Sequence, residues 1–122
     1  MNRKDHSILE RAWEYEIVGF NFQKSINGKF ESFIDVTLQK DKEIRRLRFL
    51  SPIQLKIESG FSMTHGFCIT DVSDKFLESK IEVEDFENGS IYFRARKVID
   101  LDKTTETELE VLNVEFNYNL ER

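Results

Sequence analysis

The side chains best suited to catalysis or metal binding are few and scattered. Cys68 is the only cysteine, and His6 and His65 are the only histidines. A reactive thiol needs a cation or base close by to lower its pKa, and neither histidine neighbours Cys68 in sequence. Cys68 is therefore expected to be a buried small hydrophobe in a reducing cytoplasm. Metal sites need convergent ligands at short spacings, and no Cys-x-x-Cys, His-x-x-x-His or His-Glu-x-x-His is present. Asp71-Val72-Ser73-Asp74 clusters oxygens without the acidic spacing and distal Glu of a calcium loop. Asp71 is read instead as ending a strand, with Ser73 or Asp74 capping a helical turn. Glu82, Glu84, Asp85 and Glu87 raise the paired-carboxylate chemistry of glycosidases, which requires two acids facing each other across a cleft. Glu82 and Glu84 are instead neighbours on one strand face. There is no Gly-rich phosphate loop, nucleophile elbow or dinucleotide fingerprint. The chain is expected to be non-enzymatic, with no catalytic residue, no cofactor and no metal.

Binding chemistry is better represented. Lys40, Lys42, Arg45, Arg46 and Arg48 form the basic concentration of the chain. Arg45, Arg46 and Arg48 are candidate contacts for an anion or an acidic partner. Asp35, Asp41 and Glu43 are interleaved with them, so a salt-bridged strand face is the competing expectation. His65, in the loop Met63-Thr64-His65-Gly66, and Tyr92 are candidate contacts for a small ligand.

Strands must position these groups, because apolar residues recur with a period of two. Runs of this kind cover 13–23, 30–39, 43–50, 81–85, 90–98 and 106–119. Facing residues in an antiparallel pair have numbers that add to a constant, so register can be tested against charge and burial. A two-residue Asp41-Lys42 loop places Val36 against Leu47 and Ile34 against Phe49 on one face. On the other face it places Asp35 against Arg48 and Thr37 against Arg46, the opposite-charge pairing that stabilises a sheet. A slip by one residue would bring Leu47 against a polar side chain. A three-residue Glu87-Asn88-Gly89 loop with Gly89 left-handed likewise pairs Val83 with Phe93, Ile81 with Ala95, Glu82 with Arg94 and Glu84 with Tyr92. The same reasoning applied to Ile26-Asn27-Gly28 pairs Phe20 with Ile34 and Val18 with Val36.

Apolar parity switches within 13–23, between Ile17 and Val18, and within 106–119, between Val111 and Leu112. Each switch predicts a bulge or bend. Pro52 should end the third strand, Ile53 to Ile57 should form a short one, and 67–71 another. Residues 73–77 are expected as one capped helical turn. These registers leave Trp13, Tyr15, Ile17, Phe33 and Leu50 opposite the core-facing set. So much apolar area on an outer face needs a cover. A layer of the same chain is one expectation; a protein partner or a second copy is the other. The five residues are the candidate interaction surface.

The 122 residues suit one domain spanning 1–122, with 1–10 mobile or a short helix. The expected fold is all-β, with about eight antiparallel strands in two meanders forming a sandwich or partly open barrel. No apolar run reaches signal-peptide or membrane-span length, which points to the cytoplasm and no membrane partner. A net charge of -5 disfavours nucleic acid.

The stretch from Ile44 to Leu101 carries Glu43-Ile44-Arg45-Arg46-Leu47-Arg48-Phe49, Ser51-Pro52, Phe67-Cys68-Ile69-Thr70-Asp71-Val72-Ser73 and Val83-Glu84-Asp85-Phe86-Glu87-Asn88-Gly89-Ser90-Ile91-Tyr92-Phe93. It resembles a family of small, uncharacterised bacterial proteins. The resemblance covers roughly half the chain and implies the same antiparallel β fold; it assigns no functional residue. The expected function is thus a small binding or interaction protein, with toxin neutralisation of the immunity type as one form of it, predicted to show an exposed aromatic patch rimmed by acids. The alternative is a β-barrel holding a small ligand near His65 or Tyr92.

Overall fold

The computed structural model describes residues 5–25, 31–58, 66–87 and 89–103. The Ile26-Asn27-Gly28 turn, His65 and the strand expected over 106–119 lie outside the described residues. One 3-10 turn, Ala12–Glu14, precedes eight strands: β1 (Glu16–Gln23), β2 (Phe33–Lys40), β3 (Glu43–Leu50), β4 (Ile53–Ile57), β5 (Phe67–Asp71), β6 (Ile81–Asp85), β7 (Ile91–Ala95) and β8 (Lys97–Asp100). Among the described residues they form two four-stranded antiparallel sheets, ordered β1-β2-β3-β8 and β4-β7-β6-β5, with no closed barrel. The two expected meanders are therefore present, and each sends its next strand into the other sheet.

Two hairpins adopt the pairing that charge and burial dictate. Lys40 faces Glu43, Val36 faces Leu47, Ile34 faces Phe49 and Asp35 faces Arg48. Asp41 takes a positive φ of 54°, as a two-residue hairpin loop requires at its first central position. Val83 faces Phe93, Ile81 faces Ala95 and Glu82 faces Arg94. Gly89 sits at φ 65°, the left-handed conformation that glycine adopts at no steric cost. Asp85 organises this second turn: its buried carboxylate accepts hydrogen bonds from Glu87 N–H at 3.0 Å and from the Ser90 hydroxyl at 2.7 Å.

The β1–β2 pairing differs from expectation. Phe20 faces Val36 and Phe22 faces Ile34, a displacement of two residues. A slip of two preserves which face each side chain occupies, so the apolar pattern does not resist it. Just before β2, the Ser32 hydroxyl accepts from Ser25 N–H at 2.9 Å, and Glu31 turns to Ser51 and Arg96. The predicted irregularity does fall at Val18, between the pairs Ile17–Leu38 and Gly19–Thr37. It leaves Val18 half-exposed rather than against Val36, and turns Ile17 onto the core side.

The inner faces share one core. Ile34, Val36, Leu38, Leu47 and Phe49 of the first sheet meet Phe67, Ile69, Val83, Ile91 and Phe93 of the second. Phe49 and Phe93 pack edge to face with ring centroids 5.2 Å apart, a favoured aromatic geometry.

β3 with β4, and β7 with β8, are two long strands that stay paired while both bend into the other sheet. The bends lie at Ser51 and Arg96, so the run expected at 90–98 is two strands. Corners of this kind join sheets in strongly crossed packings. Ser51 has φ 50°, although a residue before proline prefers an extended backbone. Buried Glu31, 2 % exposed, holds the corner. Its carboxylate accepts from Ser51 Oγ at 2.5 Å and from Arg96 Nε at 3.1 Å and the Arg96 guanidinium at 2.5 Å. Ser51 N–H donates to Ser32 O at 2.7 Å. A buried carboxylate is tolerated only when paired and hydrogen-bonded in this way.

Residues 5–15 run along β5 as a strap. Asp5 bridges Thr70, and His6 N–H donates to Ile69 O at 2.9 Å. Leu9 and Ala12 enter the core. Residues 5–10 form no helix, and the helical turn lies further on at 12–14. The 73–77 segment makes a single turn over 73–75, in which Lys75 N–H and Phe76 N–H donate to Val72 O at 2.9 and 3.3 Å, and it does not continue as a helix. Its cap is Asp71, which accepts from Ser73 N–H at 3.0 Å and from the Ser73 hydroxyl at 2.7 Å.

Candidate functional site

The expected apolar surface is not one surface. Tyr15 is buried in the main core and Ile17 packs against it. The bulge at Val18 places both on the inner side, which a strict period of two could not show. The Tyr15 hydroxyl donates to Glu43 at 2.6 Å; burial, then this carboxylate, raise its pKa. Trp13 meets Phe86 edge-on at 6.1 Å. Phe33 and Leu50 do lie on the outer face of the first sheet, where they cluster with Ile99 and Leu101. Leu50 is 5 % and Ile99 7 % exposed, so the chain supplies its own cover there.

The three arginines do not converge. Arg46 and Arg48 point outward, whereas Arg45 faces Leu38 on the other side. Arg45 donates to Asp100 at 3.0 Å and to Ile8 O at 2.9 Å. Arg46 is bonded to Asp102, whose carboxyl pKa this lowers. Arg48 donates to both oxygens of Asp35, at 2.8 and 3.0 Å, and lies 3.8 Å over the Phe33 ring. Each of the three is paired with a carboxylate, Arg46 and Arg48 on the outer face and Arg45 on the inner one. Tyr92 belongs to the outer face of the second sheet, not to a barrel interior. Its hydroxyl donates to Glu82 at 2.9 Å. Burial first, and then that bond, push its pKa up to about 12. Burial lowers the His6 pKa against the opposing field of Asp71, and Ile8 N–H donates to its Nδ1 at 3.0 Å.

A different place gathers the groups a ligand needs. Ile53 of β4, Arg94 of β7 and residues 75–79 enclose an open cleft of about 240 Å³. Ile53 faces Arg94 across the ladder and so shares its outward face. The β4 bulge, with Gln54 at φ 56°, separates Ile53 from Ile57, which faces core residue Ile91. Even alternation of Ile53, Leu55 and Ile57 therefore does not hold. Arg94 lies 3.9 Å over the Phe76 ring. Its Nε is buried without a hydrogen-bond partner, one of two such side-chain atoms among the described residues, the other being Thr70 Oγ1. Lys75 and Glu78 line the rim. Ile53, Leu55, Ile57 and Phe76 are exposed, and Leu77 is wholly so. The rim carries both signs rather than a ring of acids.

No sequence motif marks this cleft, since its residues come from three separate segments. The available signal was weak: Phe76-Leu77 after a Ser-Asp turn, and an arginine expected opposite Glu82. Among the described residues no group of three or more His, Cys, Asp or Glu side chains gathers to hold a metal, and no helix is long and apolar enough to cross a membrane. Comparison with known proteins yields no matching family, no matching curated protein and no matching solved structure.

Proposed function

We propose that the protein is a cytoplasmic, non-enzymatic binding protein that engages a protein partner with the Ile53–Ile57 strand and the 75–79 segment. The observation that carries this reading is the exposure of Leu77 and Phe76 beside Ile53, on a strand whose Leu55 and Ile57 are exposed as well. Among the described residues, β4 is an edge strand hydrogen-bonded on one side to β7. Large apolar side chains left exposed around one cleft mark an interaction surface. The cleft beside it, about 240 Å³, falls below the roughly 300–1,000 Å³ of small-molecule sites. It suits one side chain of a partner better than a whole metabolite.

The test is photo-crosslinking in the cells that make the protein, with a crosslinkable residue at Leu77, at Leu55 or, as a control, at Ile44 on the other sheet. A discrete partner captured from the first two positions and not from the third is the expected result. Equal capture from Ile44, or none from Leu77 and Leu55, would remove the proposal.

A further inference from the structure

Arg94 stands apart from the other described arginines. Arg11, Arg45, Arg46, Arg48 and Arg96 each lie within salt-bridge distance of a carboxylate. Arg94 meets none among the described residues. Its cross-strand neighbour Glu82 is engaged by the Tyr92 hydroxyl at 2.9 Å. The guanidinium is nevertheless held face-on against Phe76, with Nε out of water and unsatisfied. A buried donor with no acceptor costs about 1–3 kcal/mol, and an arriving acceptor recovers that cost. Lys75 adds a second cation to the same cleft, against one acid, Glu78.

Resting on the binding role proposed above, we infer that the cleft anchors an acidic side chain of the partner, an Asp or Glu flanked by apolar residues. Arg94 takes the carboxylate through Nε and a terminal nitrogen, the side-on geometry of arginine–carboxylate pairs. Lys75 adds charge, and the flanking apolar side chains lie on Ile53, Phe76 and Leu77. The Arg48–Asp35 pair displays the completed version of this arrangement within the same molecule: a guanidinium stacked on Phe33 with Nε and a terminal nitrogen donating to one carboxylate.

The experiment titrates the full-length protein with an acetylated, amidated Leu-Val-Glu-Leu-Val peptide and with its Gln-for-Glu twin, followed by heteronuclear NMR. The Glu peptide is expected to shift the Arg94 Nε–H and the backbone amides of 75–79, and to bind about tenfold more tightly than the Gln twin, a preference of about 1.4 kcal/mol. Arg94→Met should abolish the preference. If that variant is misfolded, the wild-type preference and the identity of the shifted arginine still decide. Equal binding of the twins overturns the inference, as does a shift centred on another arginine or no shift at millimolar peptide. A third peptide, with Gln and a free C-terminal carboxylate, overturns the side-chain assignment if it matches the Glu peptide. A partner crosslinked at Leu77 without any carboxylate preference would leave the binding role standing and remove only its acidic anchor.

Discussion

The outer faces of the two sheets carry the same pair of groups in two states of completion. On the first, Arg48 lies 3.8 Å over Phe33 and spends two donors on Asp35. On the second, Arg94 lies 3.9 Å over Phe76 with Nε unpaired. Both arginines face an acid across the ladder, Asp35 and Glu82 respectively. The difference comes from a third residue: Tyr92, two positions along β7 from Arg94, donates its hydroxyl to Glu82. A stack closed by its own carboxylate adds to stability. A stack whose carboxylate is engaged elsewhere leaves a positioned cation and an apolar rim, which is what recognition needs. Half-buried Phe33 also packs against Leu50, Ile99 and Leu101, while Phe76 belongs to neither apolar cluster and Leu77 stands in solvent.

That contrast can be broken by mutation. Phe33→Ala should cost about 2–3 kcal/mol, because a half-buried ring leaves a cluster, and Phe76→Ala about 1 kcal/mol, because its ring lies outside both apolar clusters. Urea denaturation compares them, and equal costs would erase the distinction. Asp35→Ala should cost about 2 kcal/mol by leaving partly buried Arg48 without an acceptor. Arg94→Met should be neutral or stabilise by up to about 1 kcal/mol, since it removes an unsatisfied donor; a clear loss in thermal denaturation would mean that Arg94 has a structural partner.

The smallest effect is expected at alkaline pH. The Tyr92 phenol is raised from 10.0 to about 12, so the folded state keeps a proton that the unfolded chain releases first. Its contribution is complete below pH 10 and is lost as pH rises through about 12. Tyr92→Phe should remove that part of the pH slope of stability and the corresponding step in phenolate absorbance. It should also free Glu82 for Arg94, closing the open stack and weakening the Glu peptide. Unchanged peptide affinity would show that Tyr92 does not set the difference.

Legibility followed the same division. Register at β2–β3 and β6–β7 was readable because a short loop sets the spacing and because Asp35–Arg48 and Glu82–Arg94 penalise a slip. The β1–β2 register was not, since a displacement of two keeps every apolar side chain on its side. The long-range capture of Glu31 by Arg96 and Ser51 has no local signature. The basic run at Arg45, Arg46 and Arg48 suggested an anion site through sequence proximity alone. Strand alternation sends Arg45 to the opposite face, and acids distant in sequence, Asp100 and Asp102, neutralise Arg45 and Arg46.

From the sequence alone, then, came the all-β class, the two meanders, the turns at Asp41-Lys42 and Gly89 and the inward or outward sense of most strand residues. These depend on interactions between near neighbours and on a period of two, which the chain carries wherever it folds. Only the tertiary structure decided where strands leave one sheet for the other, which carboxylates become buried, and which arginine is left without one. Those outcomes depend on competition among groups far apart in sequence for the same few partners, and that competition is resolved only once packing brings them within hydrogen-bond range.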